Sequence, residues 1–243
     1  MFRNQYDTDV TVFSPQGRLH QVEYAMEAVN QGTVVLGARS ATHVVLAALK
    51  RLPNELASHQ QKLHKIDDNL GVGTSGMTAD GRSIVKHMRT EALNHKYVYG
   101  TQIQGNRLAL DLADMHQRCT QSYVRRPYGV GLLIAAYDQT GPHLYFTEPS
   151  GSYFEYVAMA IGSRSQTSKT YLEKEFDNFS SATPEELIRH ALKALSVSLS
   201  GDSTLDVKSA AVAIVGAGQS YRVIEGDELQ GHLDQIAVEG DGD

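Results

Sequence analysis

Cysteine is nearly absent. Cys119 is the sole one among 243 residues, so an intrachain disulfide and a Cys-based zinc site are both excluded. No stretch reaches the ~18 consecutive apolar residues of a membrane-spanning helix, and the start, Met1 to Asp7, lacks the apolar core of a signal peptide. Excess positive charge is missing too. Lys and Arg number 22 against 28 Asp and Glu, for a net charge of −6. The tight basic pairs, Lys50-Arg51 and Arg125-Arg126, are too short to form a phosphate-binding stripe. The ten histidines form no HExxH or other paired metal spacing, and no G-x-S-x-G elbow occurs. These absences predict an intracellular, soluble protein with no metal, no cofactor, no nucleic-acid partner and no membrane partner.

What is present can fold. A hydrophobic content of 41% supports one large core, with no linker or short repeat to divide it. Ser14-Pro15 reads as a helix start, because the hydroxyl can cap free N–H groups and Pro has no donor to waste. Leu19, Val22, Met26 and Val29 then share one helical face, and Gly32 sits where a C-terminal glycine cap belongs. Short β-branched runs follow, Thr33 to Gly37 and His43 to Leu49, split by the turn Ser40-Ala41-Thr42. A third strand fits Leu70 to Thr74.

Two helices come next, one capped by Thr78 with Ile84, Val85, Met88 and Ala92 inward, the other with Leu108, Leu112, Met115 and Cys119. Strands return at Gly129–Tyr137, His143–Thr147 and Phe154–Ile161, then helices at Gln166–Phe176 and Pro184–Leu199. The last opens on the capping box Thr183-Pro184-Glu185-Glu186. Strands at Ala210–Val215 and Tyr221–Ile224 and a helix from Asp227 close the chain, with an acidic end from Glu239 expected to fray. Paired strands alternating with paired helices predict a four-layer αββα sandwich of two stacked sheets. A doubly wound parallel sheet would alternate strand and helix singly.

Gly71-Val72-Gly73-Thr74-Ser75-Gly76 matches the dinucleotide fingerprint G-x-G-x-x-G. That chemistry needs the glycines between a strand and a helix N-terminus. Here they fall inside the expected strand, which argues against it. His59 with His64, and His116 with Cys119, read as surface or core residues rather than ligands.

The segment Tyr6-Asp7 with Thr11-Val12-Phe13-Ser14-Pro15-Gln16-Gly17-Arg18-Leu19-His20-Gln21-Val22-Glu23-Tyr24-Ala25 resembles the N-terminal signature of proteasome α-type subunits. Arg126-Pro127-Tyr128-Gly129-Val130-Gly131 agrees, as do Ala160 to Gln166 and Tyr171-Leu172-Glu173. The Met1 to Asn4 start and the Ala160 block are most like the alpha type-1 branch of that family. The resemblance spans nearly the whole chain and implies the nucleophile-hydrolase-like αββα fold with an added N-terminal helix. It divides the chain into a gating tail (1–13), a helix (14–32), a core (33–237) and an acidic tail (238–243).

The resemblance also implies a role. α-type subunits form the outer heptameric rings of a barrel whose inner β rings hydrolyse proteins in ATP- and ubiquitin-dependent degradation, in cytoplasm and nucleus. The expected partners are other α subunits in a hetero-heptameric ring, β-ring subunits, and a regulatory particle or other activators that dock their C-terminal tails. Tyr6, Asp7, Pro15 and Tyr24 match the cluster that orders the tails around the axial pore. Thr8 departs from the usual Tyr-Asp-Arg triplet. Lys62, Gly32, Gly76 and Met77 match the pocket that receives activator tails; without the resemblance, Lys62 would read as a solvated strand-edge charge.

The competing reading is an active threonine protease. Thr33 and Lys62 align with the nucleophile and lysine of β-type relatives. That chemistry needs a free α-amine on the threonine, hence removal of residues 1–32. Leu49 also stands where the β type has an acidic residue. No catalytic residue is therefore expected.

Overall fold

The computed structural model describes residues 6–51, 56–199 and 204–240, with side chains to residue 236. The Met1 to Asn4 start and residues 241–243 of the acidic end lie outside these. Glu239 and Gly240 belong to the last helix.

Among the described residues ten strands form two five-stranded sheets, antiparallel throughout. The first has the order β10 (Gln219–Ile224), β9 (Ala210–Gly216), β2 (His43–Leu49), β1 (Val35–Arg39), β8 (Ala158–Ile161). The second runs β3 (Leu63–Asp67), β4 (Leu70–Gly76), β5 (Val130–Asp138), β6 (Gly141–Thr147), β7 (Tyr153–Glu155). Strand alternation builds the layers. Val35, Leu46, Ala213 and Val215 point inward against Leu63, Leu133 and Leu144 of the facing sheet. Their neighbours Leu36, Val45, Ala47 and Val212 point outward against Leu187, Ala191 and Leu195 of α6 (Pro184–Ser196). On the far side Val72, Leu132 and Ile134 meet Ile84, Met88 and Leu112 of α2 (Thr78–Tyr99) and α3 (Gly105–Thr120). Central strands are thus covered on both faces, which is why they read as continuous apolar runs. The four-layer αββα expectation holds.

Several boundaries differ from the sequence reading. β3 was not anticipated: it is an edge strand in which Leu63 is the one fully buried residue, so its pattern is too polar to register. The stretch 154–161, expected as one strand, is two. β7 pairs with β6 in one sheet and β8 with β1 in the other. At the crossing Tyr156 N donates to Leu144 O (2.8 Å), while Arg39 N donates to Val157 O (2.8 Å).

The first helix is shorter than expected. α1 spans His20–Asn30 and buries His20, Val22, Ala25 and Val29, with Met26 on the outside. Ser14 does not cap it. Instead 14–18 close on themselves: Ser14 N donates to Arg18 O (2.9 Å), Gly17 N to Ser14 O (2.8 Å) and Arg18 N to Ser14 Oγ (3.2 Å). This turn places Gly17 at φ +76°, a conformation that interrupts a helix and favours glycine. Gly32 is likewise not the cap; Gln31 ends the helix in a right-handed conformation. Thr78 opens α2 rather than capping it, and its N-cap is Met77. The remaining helices are α4 (Ser165–Lys174), α5 (Phe176–Phe179) and α7 (Asp227–Gly240). The α6 capping box forms as expected, Glu186 N to Thr183 Oγ1 (3.3 Å) and Thr183 N to Glu186 Oε2 (2.8 Å).

Candidate functional site at the N-terminal segment and the start of the first strand

α1 lies across the ends of β4 and β5 and carries the N-terminal segment on its outer face. Tyr24 Oη donates to Asp7 Oδ2 (3.1 Å), and Gln21 Nε2 donates to the Asp7 backbone oxygen. Gln21 and Tyr24 are three apart, so they stand together on one helix face. Gln21 is a partner the sequence reading missed, although that spacing could have revealed it. Asp9 folds onto Thr11 N and Oγ1 (both 2.8 Å). Arg18 holds Glu23 through paired bonds of 2.6 and 2.7 Å. The structure therefore joins Asp7 to Tyr24. Pro15 sits in the 14–18 turn. Among the described residues no hydrogen bond ties Pro15 or Tyr6 to that pair.

Below α1 the chain enters a crowded junction. A Cβ on Gly32 would lie 2.3 Å from Gly76 N and 2.4 Å from Ser75 Oγ. Close approach, not capping, is what Gly32 provides. Ser75 Oγ donates to Val29 O and Thr33 O (3.1 Å each), and Ser163 N donates to Gly32 O (2.7 Å). Gly76 has φ +117°, and a Cβ there would stand 2.2 Å from Gly129 O. Met77 N donates to the same oxygen (2.8 Å), while its side chain is 45% exposed.

Lys62 completes the junction in an unexpected way. It is only 3% exposed, and its ammonium donates to both the carbonyl and the hydroxyl of Thr33. It is therefore not a solvated strand-edge charge. Burial pushes its pKa down to about 7, because the charged form loses hydration and no carboxylate among the described residues compensates. Lys62, Gly32 and Gly76 meet at this one junction, and Met77 continues it to the surface.

A lysine on a threonine hydroxyl is the arrangement of an activated nucleophile, but two features disarm it. Thr33 N is in peptide linkage to Gly32, and the helix before Gly32 is anchored by buried Val22, Ala25 and Val29. Leu49 N donates to Val34 O (3.0 Å), and its apolar side chain supplies no charge to orient the pair. The protease reading fails on this geometry.

A second cluster escaped the sequence reading. Asp80, in the first turn of α2, accepts from Arg126 Nη1 and Nη2 (2.6 and 2.8 Å) and from Gly129 N (3.0 Å). These bonds, led by Arg126, hold its carboxyl below the usual range despite burial. The clasp fixes Gly129 beneath Gly76 and Met77. Its partners are 46 residues apart, so no local pattern announces it.

The glycine run is a packing feature. It lies within β4, where a Cβ on Gly71 would meet the Tyr221 ring at 2.0 Å and one on Gly73 would meet Val35 at 2.6 Å. His116 is fully buried, with Nδ1 2.9 Å from Glu148 O and its ring tilted against Tyr128. Among the described residues no three metal-ligating side chains cluster, and no helix is long and apolar enough to cross a membrane.

Comparison with known proteins bears directly on these features. The family model for proteasome subunits matches residues 29–215, and the model for the N-terminal signature of A-type proteasome subunits matches residues 6–28. The alpha type-1 proteasome subunit of Dictyostelium discoideum is 49% identical over 240 residues, covering 98% of this chain and 97% of that protein. Its namesake in Drosophila melanogaster is 46% identical over 246 residues, covering 100% and 88%. The probable alpha type-6 proteasome subunit of Schizosaccharomyces pombe is 45% identical over 240 residues, covering 99% and 88%. With its α signature intact and Thr33 locked behind it, the chain belongs to the proteasome subunit family, in the non-catalytic α type rather than the catalytic β type.

Proposed function

We propose that this α-type chain scaffolds a hetero-heptameric ring against a β ring, contributes to the axial gate, and helps form an intersubunit pocket for activator tails. The setting is ATP- and ubiquitin-dependent protein degradation in cytoplasm and nucleus. One unit, 33–237, serves as the core, with 1–13 as the gating tail and 238–243 as an acidic end.

The observation that carries the gate reading is the tether of Asp7 to Tyr24 and Gln21 on α1. A short polar segment cannot bury enough surface to order itself, so such fixed points decide where the tail departs. Pro15 is exposed and Tyr6 half-buried, and in this reading both are available to neighbouring subunits. For docking, Gly32, Gly76 and Met77 bring backbone and one exposed apolar side chain to the surface above Lys62.

The test is Tyr24→Phe in the assembled particle without activator. Losing the hydroxyl removes a charge-assisted bond of about 1.5–3 kcal/mol, at the lower end for an exposed pair. Basal hydrolysis of a small fluorogenic peptide should rise while activator-stimulated hydrolysis changes little. Unchanged basal hydrolysis would count against a gate held at Asp7.

A further inference from the structure

Beside the Lys62 junction lies a cavity of about 580 Å³ whose lining includes Arg51, His59, His64, Thr74, Thr78 and Arg82. Its chemistry runs against the rest of the chain. The protein carries a net charge of −6, yet among the described residues the lining holds two arginines, two histidines and no carboxylate. Arg51 and Arg82 are in none of the ion pairs formed among the described residues. His64 senses the local potential: burial, then the charges of Arg89 and Arg82, lower its pKa.

The start of α2 adds to this. Its N-cap, Met77, makes no side-chain cap, so the first amides of a 22-residue helix lack that partner. The carboxylate of its first turn, Asp80, is bound by Arg126 and Gly129. Gln60 Nε2 donates to Thr78 Oγ1, which leaves the Thr78 O–H free to donate. Arginine forks, imidazoles, a hydroxyl and a helix start together supply donors and positive potential, with no counter-charge among the described lining residues.

We propose that this cavity is an oxyanion site that receives an acidic side chain of an incoming activator tail, next to but separate from the Lys62 junction. The inference rests on the docking reading above, and it deepens that reading by assigning a preference. Position argues for a tail rather than a small ion. Thr78 follows Met77 and Gln61 precedes Lys62, so a chain laid over the docking residues passes the cavity mouth. The volume also far exceeds one phosphate.

The test uses uncharged octapeptides with a single Glu moved through the five positions before the end, each against its Gln counterpart. Affinity for the assembled particle is read by fluorescence anisotropy at low ionic strength. One Glu position should bind roughly tenfold more tightly than its Gln partner. Arg82→Gln or Arg51→Gln should remove that gain and leave the Gln peptide unchanged. No preference at any position, or a gain that survives both substitutions, would overturn the proposal.

In parallel, inorganic phosphate is titrated against the full chain while the His64 imidazole resonance is followed. Phosphate that shifts the resonance in an Arg82-dependent way, alongside the Glu preference, supports the site. The same shift without a Glu preference makes this a free-anion site and overturns the tail assignment. Failure of every peptide to bind, with the phosphate response intact, would instead sink the docking reading itself.

Discussion

The Asp80–Arg126 clasp makes the sharpest energetic prediction, because its two partners sit in different media. Asp80's side chain is 10% exposed and Arg126's is 60% exposed. Removing Asp80 frees an arginine that water can solvate, but it strands the buried Gly129 N–H. An unsatisfied buried donor costs about 1–3 kcal/mol, and a charged bond contributes about 1.5–3 kcal/mol. Screening at the exposed guanidinium puts the pair itself toward the low end. Asp80→Ala should therefore cost about 2–4 kcal/mol.

Asp80→Asn keeps an acceptor for Gly129 and should recover about 1 kcal/mol of that loss. Arg126→Ala leaves a nearly buried carboxylate without its cation and should cost about 2–3 kcal/mol. The double variant should show coupling of about 1–2 kcal/mol. Urea unfolding of the full chain measures each value. The pH dependence has a definite sign. Asp80's folded pKa is depressed, so its contribution is present above the unfolded value near 4 and is lost as pH falls through the folded value. If Asp80→Ala costs under about 0.5 kcal/mol, or the coupling is absent at pH 7, the clasp does not hold the Gly129 wall.

Two further predictions follow from the same geometry. Lys62 has the same sign in a different window, although here the uncharged form is the one favoured: its folded pKa of about 7 lies below the unfolded lysine value, so the folded state binds fewer protons between about pH 7 and 10. Relative to Lys62→Met, wild-type stability should rise across that window by up to about 1.4 kcal/mol per pH unit; denaturation at pH 6, 7.5 and 9 reads it, and a flat difference refutes a Lys62 pKa lowered by burial. Gly76 and Gly141 have nearly the same φ, +117° and +116°, but an added Cβ meets Gly129 O at 2.2 Å in the first and nothing within 4 Å in the second. Gly141→Ala should show backbone strain alone, about 1–2 kcal/mol, and Gly76→Ala at least about 2 kcal/mol more; equal thermal shifts would mean that the Gly129 contact yields.

The sequence carried the architecture because its signals are local. Leu187, Ile188, Ala191 and Leu195 recur at helical spacing behind Thr183-Pro184-Glu185-Glu186, and capping box and buried face both appear in α6. Val44 to Leu49 is apolar throughout because β2 is central and covered on both sides. The misreadings arose where local propensity met a nonlocal demand. Ser14-Pro15 has a helix-start composition, yet the turn closed by Gly17 and Arg18 takes those groups first. Residues 154–161 contain no Gly, Pro, Asn or Asp to announce a break, yet they finish one sheet and begin the edge of the other. Nothing in the residues themselves marks that crossing.

The layer order, the central strands and the α-type signature were legible along the chain, since hydrophobic period, turn chemistry and a contiguous motif are properties of sequence neighbours. Only the tertiary structure decided the environment of each functional group. It turned Lys62 inward onto Thr33, locked Asp80 to Arg126 across 46 residues, and gathered Arg51, Arg82, His59 and His64 around one cavity. The physical reason is that burial, hydrogen-bond partnership and local potential depend on which distant residues share a volume, and no sequence spacing encodes that directly.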